Sequence, residues 1–189
     1  MILTNGRLRT AIPYHGIEIR NARFTEVTVL TSQAPTCSRL SRSVNCSFDF
    51  ALKMSQAIVD GQLSFASRSF ERDVDMTGIK TSSSVVFDNA TVWGFSSLVG
   101  ADIGGQLSLN GLHINGPFKA GAARIAKGLF ASGGIFNSRV KLTEAKIGDE
   151  LVIENAFIDG PVEMDAMEVD QSAHIDKKND PHKGQRTSR

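Results

Sequence analysis

The residues that could bind a metal or act as a nucleophile are few and widely separated. The 189-residue chain has four histidines and two cysteines: His15, His113, His174, His182, Cys37 and Cys46. No histidine has a second histidine or a cysteine at metal-ligand spacing, and two cysteines cannot by themselves complete a zinc site. The sequence also lacks the G-x-S-x-G, P-loop and H-E-x-x-H motifs. We therefore predict no catalytic residue, metal or cofactor, and we interpret both thiols as structurally incidental.

The distribution of charge speaks against a nucleic-acid partner. Residues 1–47 carry a net charge of +4, residues 48–176 carry −7 and residues 177–189 carry +4. A nucleic-acid-binding domain gathers its basic residues on one face, whereas this chain has an acidic body with basic ends. No apolar run is long enough for a membrane span or a signal peptide. We expect a cytoplasmic protein with no membrane span.

An eleven-residue period organises residues 48–176. Apolar residues recur in the same column, as in Ile103, Ile114, Ile125, Phe136, Ile147 and Ile158. Two further apolar columns follow four and six positions later, so each unit alternates apolar and other residues, which is typical of a short strand. Gly, Asn, Asp and Pro follow at fixed offsets and predict turns. These turn residues would break an eleven-residue helical repeat at every unit.

A larger period of 22 residues lies over the first. The segments "INGPF" at 114, "FNSRV" at 136 and "IDGPV" at 158 form one set, and "IGGQL" at 103, "IAKGL" at 125 and "IGDEL" at 147 form the other. The sequence therefore predicts an all-β fold, a parallel β-helix of about 22 residues per coil and about six coils. Its strands should stack roughly 4.8 Å apart around an apolar core. By analogy with crossover connections, the coils should wind right-handed.

Each eleven-residue unit divides into five and six residues, and its five-residue part begins with a small residue, as in "ADIGG" at 101 and "AFIDG" at 156. This pattern resembles the pentapeptide-repeat family. The stretch "GADIGGQLSLNG" at 100–111 looks like a degenerate bacterial branch of it, and "GIEIRNARF" at 16–24 extends the resemblance. The resemblance implies a quadrilateral right-handed β-helix and implies little about function.

We divide the chain into three parts. Residues 1–47 are predicted to be an N-terminal capping segment with an irregular loop, residues 48–176 the β-helix, and residues 177–189 a disordered basic tail. The tail has no apolar residue that could cover the last coil. Because an uncapped coil presents unpaired strand edges, we expect either a homodimer through this end coil or a chain that is a fragment of a longer solenoid.

Two outward rows of side chains repeat every 22 residues and differ in chemistry. One is polar: Lys53, Asp75, Ser97, Lys119, Lys141 and Glu163. On the opposite face lies a row with three apolar members: Val86, Ser108, Phe130, Val152 and His174. Exposed apolar residues on a flat sheet favour a contact surface, although the tail or the N-terminal segment could also cover them. We predict a non-catalytic interaction module whose partner-binding face contains Val86, Phe130, Val152 and His174.

The last coils are acidic and suggest an alternative function. The acidic patch consists of Glu154, Asp159, Glu163, Asp165, Glu168 and Asp170. Some members of the family that the chain resembles imitate DNA and inhibit topoisomerases through a long negative rod. The alternative is therefore a DNA mimic that inhibits a topoisomerase or another DNA-binding protein. Here the acidic stretch covers only about one and a half coils.

Overall fold

The computed structural model describes residues 17–18, 23–24, 47–48 and 51–177. Within these residues the protein is all-β, without a helix, and its parallel strands form a β-solenoid of about six coils. Register partners on neighbouring coils are separated by the predicted period, since Val85 pairs with Leu107 and Leu107 pairs with Leu129. The predicted fold class and coil length are confirmed. Nearly all strands have only two residues, because each coil changes direction at four corners.

The four corners divide each coil into four faces, numbered here in the order in which the chain passes through them. Face 1 contains β3 (Ser47–Phe48), β7 (Ser69–Phe70), β11 (Thr91–Val92), β15 (His113–Ile114) and β19 (Ile135–Phe136). Face 2 contains β1 (Ile17–Glu18), β4 (Leu52–Lys53), β8 (Val74–Asp75), β12 (Ser96–Ser97), β16 (Phe118–Lys119), β20 (Val140–Lys141) and β23 (Val162–Glu163).

Face 3 contains β2 (Arg23–Phe24), β5 (Ile58–Val59), β9 (Lys80–Thr81), β13 (Asp102–Ile103), β17 (Arg124–Ile125), β21 (Lys146–Ile147) and β24 (Glu168–Val169). Face 4 contains β6 (Leu63–Ser64), β10 (Val85–Val86), β14 (Leu107–Ser108), β18 (Leu129–Phe130), β22 (Glu150–Ile158) and β25 (Ser172–Lys177). The long strand β22 pairs with β18 on face 4 and with β19 on face 1, so it joins these two faces. Faces 1 and 3 are opposite each other, as are faces 2 and 4.

The eleven-residue period has a backbone cause at two of the four corners. A residue with positive φ recurs every eleven positions at the corners from face 2 to face 3 and from face 4 to face 1: Gln56, Ser67, Gly78, Asn89, Gly100, Gly111, Ala122, Gly133, Glu144, Asn155 and Ala166. Their φ values lie between 52° and 66°. Glycine adopts this left-handed conformation without steric cost, and Asn tolerates it better than other residues. The repeat is therefore fixed by turn geometry as well as by the apolar columns.

The core is a continuous apolar column inside the four faces. Its residues come from the predicted apolar columns and from small residues at the corners, such as Ala101 and Ala123. In the first coils Phe70 stacks on Phe48 with ring centroids 4.7 Å apart, and Phe65 stacks on Phe87 at 5.0 Å. Each coil covers the apolar ends of its neighbours, which a single coil could not do for itself.

The first strands join the solenoid with an irregular spacing. Ile17 pairs with Leu52, although their separation in the sequence exceeds one coil by more than half a coil. The interruption that the sequence predicts before residue 48 is consistent with this spacing. Apart from the strands at 17–18, 23–24 and 47, the predicted capping segment 1–47, with its irregular loop, lies outside the described residues, as do Cys37 and Cys46.

The last coil is less well covered than the others. Val162, Met164, Met167 and Val169 are half-buried against the core, and Ile175 is 47% exposed. Strand β25 pairs with β22 on one side only among the described residues. Lys177 ends β25, so the start of the predicted tail is part of a strand; the rest of the tail lies outside the described residues. A homodimer through this end coil stays a prediction.

Candidate interaction surface

The predicted partner-binding face forms one row along face 4. Backbone register places Val86 beside Ser108, Ser108 beside Phe130, Phe130 beside Val152, and Val152 beside His174. His174 is exposed, whereas the three apolar side chains are half-buried. The row exists as the sequence predicts, but its apolar members present less surface to solvent than a freely projecting side chain would.

The half-burial of Phe130 has a local cause in Gly128. A Cβ atom added to Gly128 would lie 2.6 Å from Phe130 Cζ and 2.7 Å from Cε2. The missing side chain therefore leaves the space in which the phenyl ring lies against the sheet. Gly128 is itself buried. The ring consequently offers its outer side to a partner.

Face 1 carries exposed apolar residues that were not predicted as part of a site. Trp93 is 55% exposed and Ile135 is 38% exposed, and Phe157 pairs in register with Ile135. Each of these residues is next to a member of the first apolar column of the repeat, as Ile135 is next to Phe136. The sequence analysis considered only the outward position between the second and third apolar columns. A scan of both flanking positions, repeated once per coil, would have found them. Ile135 and Phe130 stand on either side of the corner between faces 4 and 1.

Polar side chains on face 1 form a small hydrogen-bonded group beside these apolar residues. Asn137 Nδ2 donates to Asn115 Oδ1 at 2.7 Å and lies 3.1 Å from His113 Nε2. Asn115 Nδ2 is buried and has no hydrogen-bond partner among the described residues. All three side chains offer hydrogen bonds without a formal charge when histidine is neutral.

The outward rows divide the solenoid into an uncharged side and a charged side. We define the uncharged side as three outward rows of faces 4 and 1 over three successive coils, which contain no Asp, Glu, Lys or Arg: Val86, Thr91, Trp93, Ser108, His113, Asn115, Phe130, Ile135 and Asn137. Charges border it, since the row of Trp93 continues to Glu71 and Asp159, and Asp88 beside Val86 accepts a hydrogen bond from Ser108 Oγ at 2.6 Å. Faces 2 and 3 form the charged side, whose outward rows in the same three coils are Asp75, Lys80, Ser97, Asp102, Lys119 and Arg124. Depletion of charge at the centre of a surface is typical of protein interfaces.

Charged groups on face 2 are held by neighbours on the same face. Asp75 Oδ1 accepts a hydrogen bond from the Thr77 N–H at 3.0 Å. Burial raises the pKa of Asp75, but hydrogen bonds from Thr77 and Ser55 and the charge of Lys53 outweigh it, so the pKa of this carboxyl lies below its ordinary value. Lys119 Nζ lies 5.8 Å from the centroid of the Phe95 ring. These contacts stabilise the face locally.

The acidic patch encircles the last coil instead of following one face. Glu154 follows the face 4 part of β22, Asp159 lies on face 1, Glu163 on face 2, Asp165 at the next corner, and Glu168 and Asp170 on face 3. Glu163 forms ion pairs with Arg139 at 3.2 Å and Lys141 at 3.6 Å. Glu168 is paired with Lys146 at 2.8 Å. The six carboxylates therefore do not form a continuous negative stripe.

The described residues contain no group of three His, Cys, Asp or Glu side chains that could hold a metal ion. His15 and His182 lie outside these residues, as do both cysteines. In the part of the chain that the structure describes, no helix is long and apolar enough to cross a membrane. The predictions of no catalytic residue and no cofactor stay predictions.

No protein-family model, curated protein or solved structure matches the chain. The resemblance to pentapeptide repeats therefore depends on the repeat pattern alone. The structure supports the coarser description of a parallel β-solenoid with the predicted coil length.

Proposed function

We propose that the protein is a non-catalytic interaction module that binds a partner protein through its uncharged side. The observation that carries the proposal is the absence of charged residues from the central outward rows of faces 4 and 1, in coils whose faces 2 and 3 are highly charged. Trp93, Ile135 and Phe130 supply apolar contact area on this side. Asn115, Asn137 and His113 supply hydrogen-bonding groups beside it.

The uncharged side extends across the corner between two faces. Its central rows extend over three coils and two faces, so the partner would contact both faces across one corner. Aromatic residues near the centre of an interface often contribute most of the binding energy. We therefore expect Trp93 and Phe130 to contribute more than the polar residues around them.

The proposal is tested by affinity capture from lysate of the source cell, using the full chain as bait and two double variants. Trp93→Glu/Ile135→Glu places two charges on face 1, and Phe130→Glu/Val152→Glu places two on face 4. The matched face 3 control is Ile58→Glu/Val99→Glu, which places the same charges at exposed apolar positions on face 3 and at its corner with face 2. Circular dichroism checks that each variant retains the β-solenoid.

We expect mass spectrometry to identify a protein that the wild type and the face 3 control retain and that both uncharged-side variants lose. Direct titration of that purified protein should then show a loss of affinity of at least about tenfold for the variants, the size expected when a central contact is removed. Equal retention by all four baits, or equal loss in the face 3 control, would contradict the proposal.

The DNA-mimic hypothesis stays an alternative proposal with a different test. It requires the carboxylates of the acidic patch to act together, and their positions around one coil give them no continuous stripe. If the hypothesis were correct, the protein would inhibit DNA supercoiling by gyrase, and salt would weaken the inhibition steeply. A lack of inhibition at micromolar protein would eliminate it.

A further inference from the structure

Face 3 carries a row of charges that is complementary to its own reverse. The outward residues of its last five strands are Lys80, Asp102, Arg124, Lys146 and Glu168. We propose that this face binds the same face of a second copy in an antiparallel arrangement, which gives a weak, salt-sensitive dimer. The inference is independent of the proposed function, because it uses the opposite side of the solenoid.

The antiparallel arrangement matches opposite charges because of their order. A two-fold axis that lies between the two faces, perpendicular to the solenoid axis at the level of Arg124, places Lys80 against Glu168 of the second copy and Asp102 against Lys146 of the second copy. Each match occurs twice in a two-fold symmetric dimer. Only Arg124 meets its own equivalent. A two-fold axis parallel to the solenoid would instead place every charge against its own equivalent.

The charges at the centre of face 3 are available for such a contact. Lys80, Asp102 and Arg124 are exposed, and none of them takes part in an ion pair between described residues. The only ion pair within the row joins Lys146 to Glu168 at 2.8 Å. A second copy would supply partners for charges that the single chain leaves in water.

The second outward row of face 3 permits close approach. It consists of small residues in four successive coils: Ser82, Gly104, Ala126 and Gly148. These residues leave the sheet flat beside the charged row, so the long side chains of a second copy can lie against it. The tight coil stacking also accounts for the glycines, since a Cβ on Gly148 would lie 2.3 Å from the Ala126 carbonyl oxygen. The inference therefore depends on the order of the charges along face 3 and not on these small residues.

Face 2 also carries charges of both signs but already satisfies them within one chain. Asp75 accepts hydrogen bonds from its own neighbours, Lys119 lies over the Phe95 ring, and Lys141 is paired with Glu163. Binding a second copy through face 2 would break these contacts before it formed new ones. We therefore place the contact between the two copies on face 3 and not on face 2.

The contact area predicts a weak dimer. The charged row is roughly 19 Å long at a coil spacing of about 4.8 Å. A contact along a row of this length buries an area that is small compared with the roughly 800 Å² per partner of a stable complex. Exposed ion pairs are individually weak and are screened by salt. We therefore expect dissociation constants in the upper micromolar range at low salt.

A dimer of this kind would present two partner-binding surfaces. Face 1 is opposite face 3, so antiparallel pairing through face 3 leaves both copies of face 1 pointing outward in opposite directions. A bivalent arrangement raises avidity for a partner that is itself repeated or immobilised.

The test is sedimentation velocity of the full chain over a wide range of protein and salt concentrations. Lys146→Asp should raise the dissociation constant by at least about tenfold, because it turns two attractive contacts into repulsive ones. Adding Asp102→Lys to that variant exchanges the two charges and should restore the wild-type constant. The matched control is Lys141→Asp on face 2, which loses a similar ion pair to an acidic residue of the next coil.

Each outcome either supports or overturns the inference. Support requires a wild-type dimer, a weaker dimer in Lys146→Asp, recovery in the double variant and little change in Lys141→Asp. A wild type that stays monomeric at all concentrations would overturn the inference. Equal effects of Lys146→Asp and Lys141→Asp, or no recovery in the double variant, would move the contact to another surface, such as the end coil, and would also overturn it.

A variant of Arg124 should change the dissociation constant in the opposite direction. Because its equivalents face each other at the two-fold axis, Arg124→Ser removes a repulsion. We expect a dimer that is about two- to tenfold tighter than the wild type, in line with the modest energies of exposed charges. A weaker dimer in this variant would contradict the position of the axis.

Discussion

The two sides of the solenoid are built from the same repeat and differ most in their outward residues. Phe118 on face 2 and Leu129 on face 4 both point into the core. The residues that follow them, Lys119 and Phe130, point outward and have opposite chemistry. Inward columns determine the fold, whereas outward columns are free to vary from coil to coil. A surface without charge therefore carries information about function that the repeat itself does not.

The largest effect is expected where an inward residue is compared with an outward one of the same type. Phe118 is 2% exposed, and its ring packs edge-on against Phe136 with centroids 5.9 Å apart. Phe118→Ala should lower the free energy of unfolding by about 3–5 kcal/mol, since it leaves a cavity between coils. Phe130→Ala on the outward row should cost only roughly 1 kcal/mol, because part of the ring is already in contact with water.

Urea denaturation followed by circular dichroism measures both changes. The two variants remove the same side chain from strands that pass through the same region of the solenoid, so each is a control for the other. Equal destabilisation would show that Phe130 is a core residue, and the uncharged side would then lose its central aromatic contact.

The inward columns made the solenoid predictable, because apolar residues recur without insertion from Phe48 onward. The four faces and the left-handed corners explain why the period is eleven. The outward rows were only half predictable. The sequence analysis considered one outward position per unit on faces 2 and 4, where Ser97 and Ser108 are buried. It did not include Trp93 and Ile135 on face 1, because they flank a different column.

The depth at which an outward residue lies could not be predicted from the repeat. The exposure of Phe130 depends on the orientation of its ring over Gly128, a contact within one coil. Likewise, the acidic patch is contiguous in sequence but surrounds the solenoid, since every coil passes through all four faces. Proximity in sequence does not translate into proximity on one face of this fold.

A smaller effect is expected at the corners, which also differ between the two sides. The corner between faces 2 and 3 places Ala122 at a φ of 53°, and the corner between faces 4 and 1 places Asn89 at a φ of 55°. Ala is disfavoured in the left-handed region, whereas Asn tolerates it. Ala122→Gly should raise the free energy of unfolding by about 0.5–1 kcal/mol, after the greater entropy of glycine in the unfolded chain is subtracted.

Asn89→Gly is the matched substitution and should change stability by less than about 0.5 kcal/mol, because little strain is relieved there. Thermal unfolding of both variants beside the wild type is sufficient. If Asn89→Gly stabilised the protein as much as Ala122→Gly, the corners would be equally strained, and this difference between the two sides would disappear.

The smallest effect concerns the charged side alone and depends on pH. The lowered pKa of Asp75 means that its carboxylate is stabilised more in the folded protein than in the unfolded chain. That contribution is fully present above the unfolded pKa of about 3.9 and is lost as the pH falls through the lower folded value. Asp75→Asn should therefore be less stable than the wild type at neutral pH, by less than about 1 kcal/mol because the group is partly exposed.

The difference between wild type and Asp75→Asn should shrink as the pH is lowered below 4 or so, whereas other acid-sensitive groups affect both proteins equally. Asp170→Asn is the control, since it removes an exposed carboxylate for which the described residues show no side-chain hydrogen bond or ion pair. Urea denaturation at several pH values compares the three proteins. If the Asp75→Asn difference stayed constant with pH, the Asp75 side chain would act through its shape and hydrogen bonds, and its charge would contribute nothing to the stability of the solenoid.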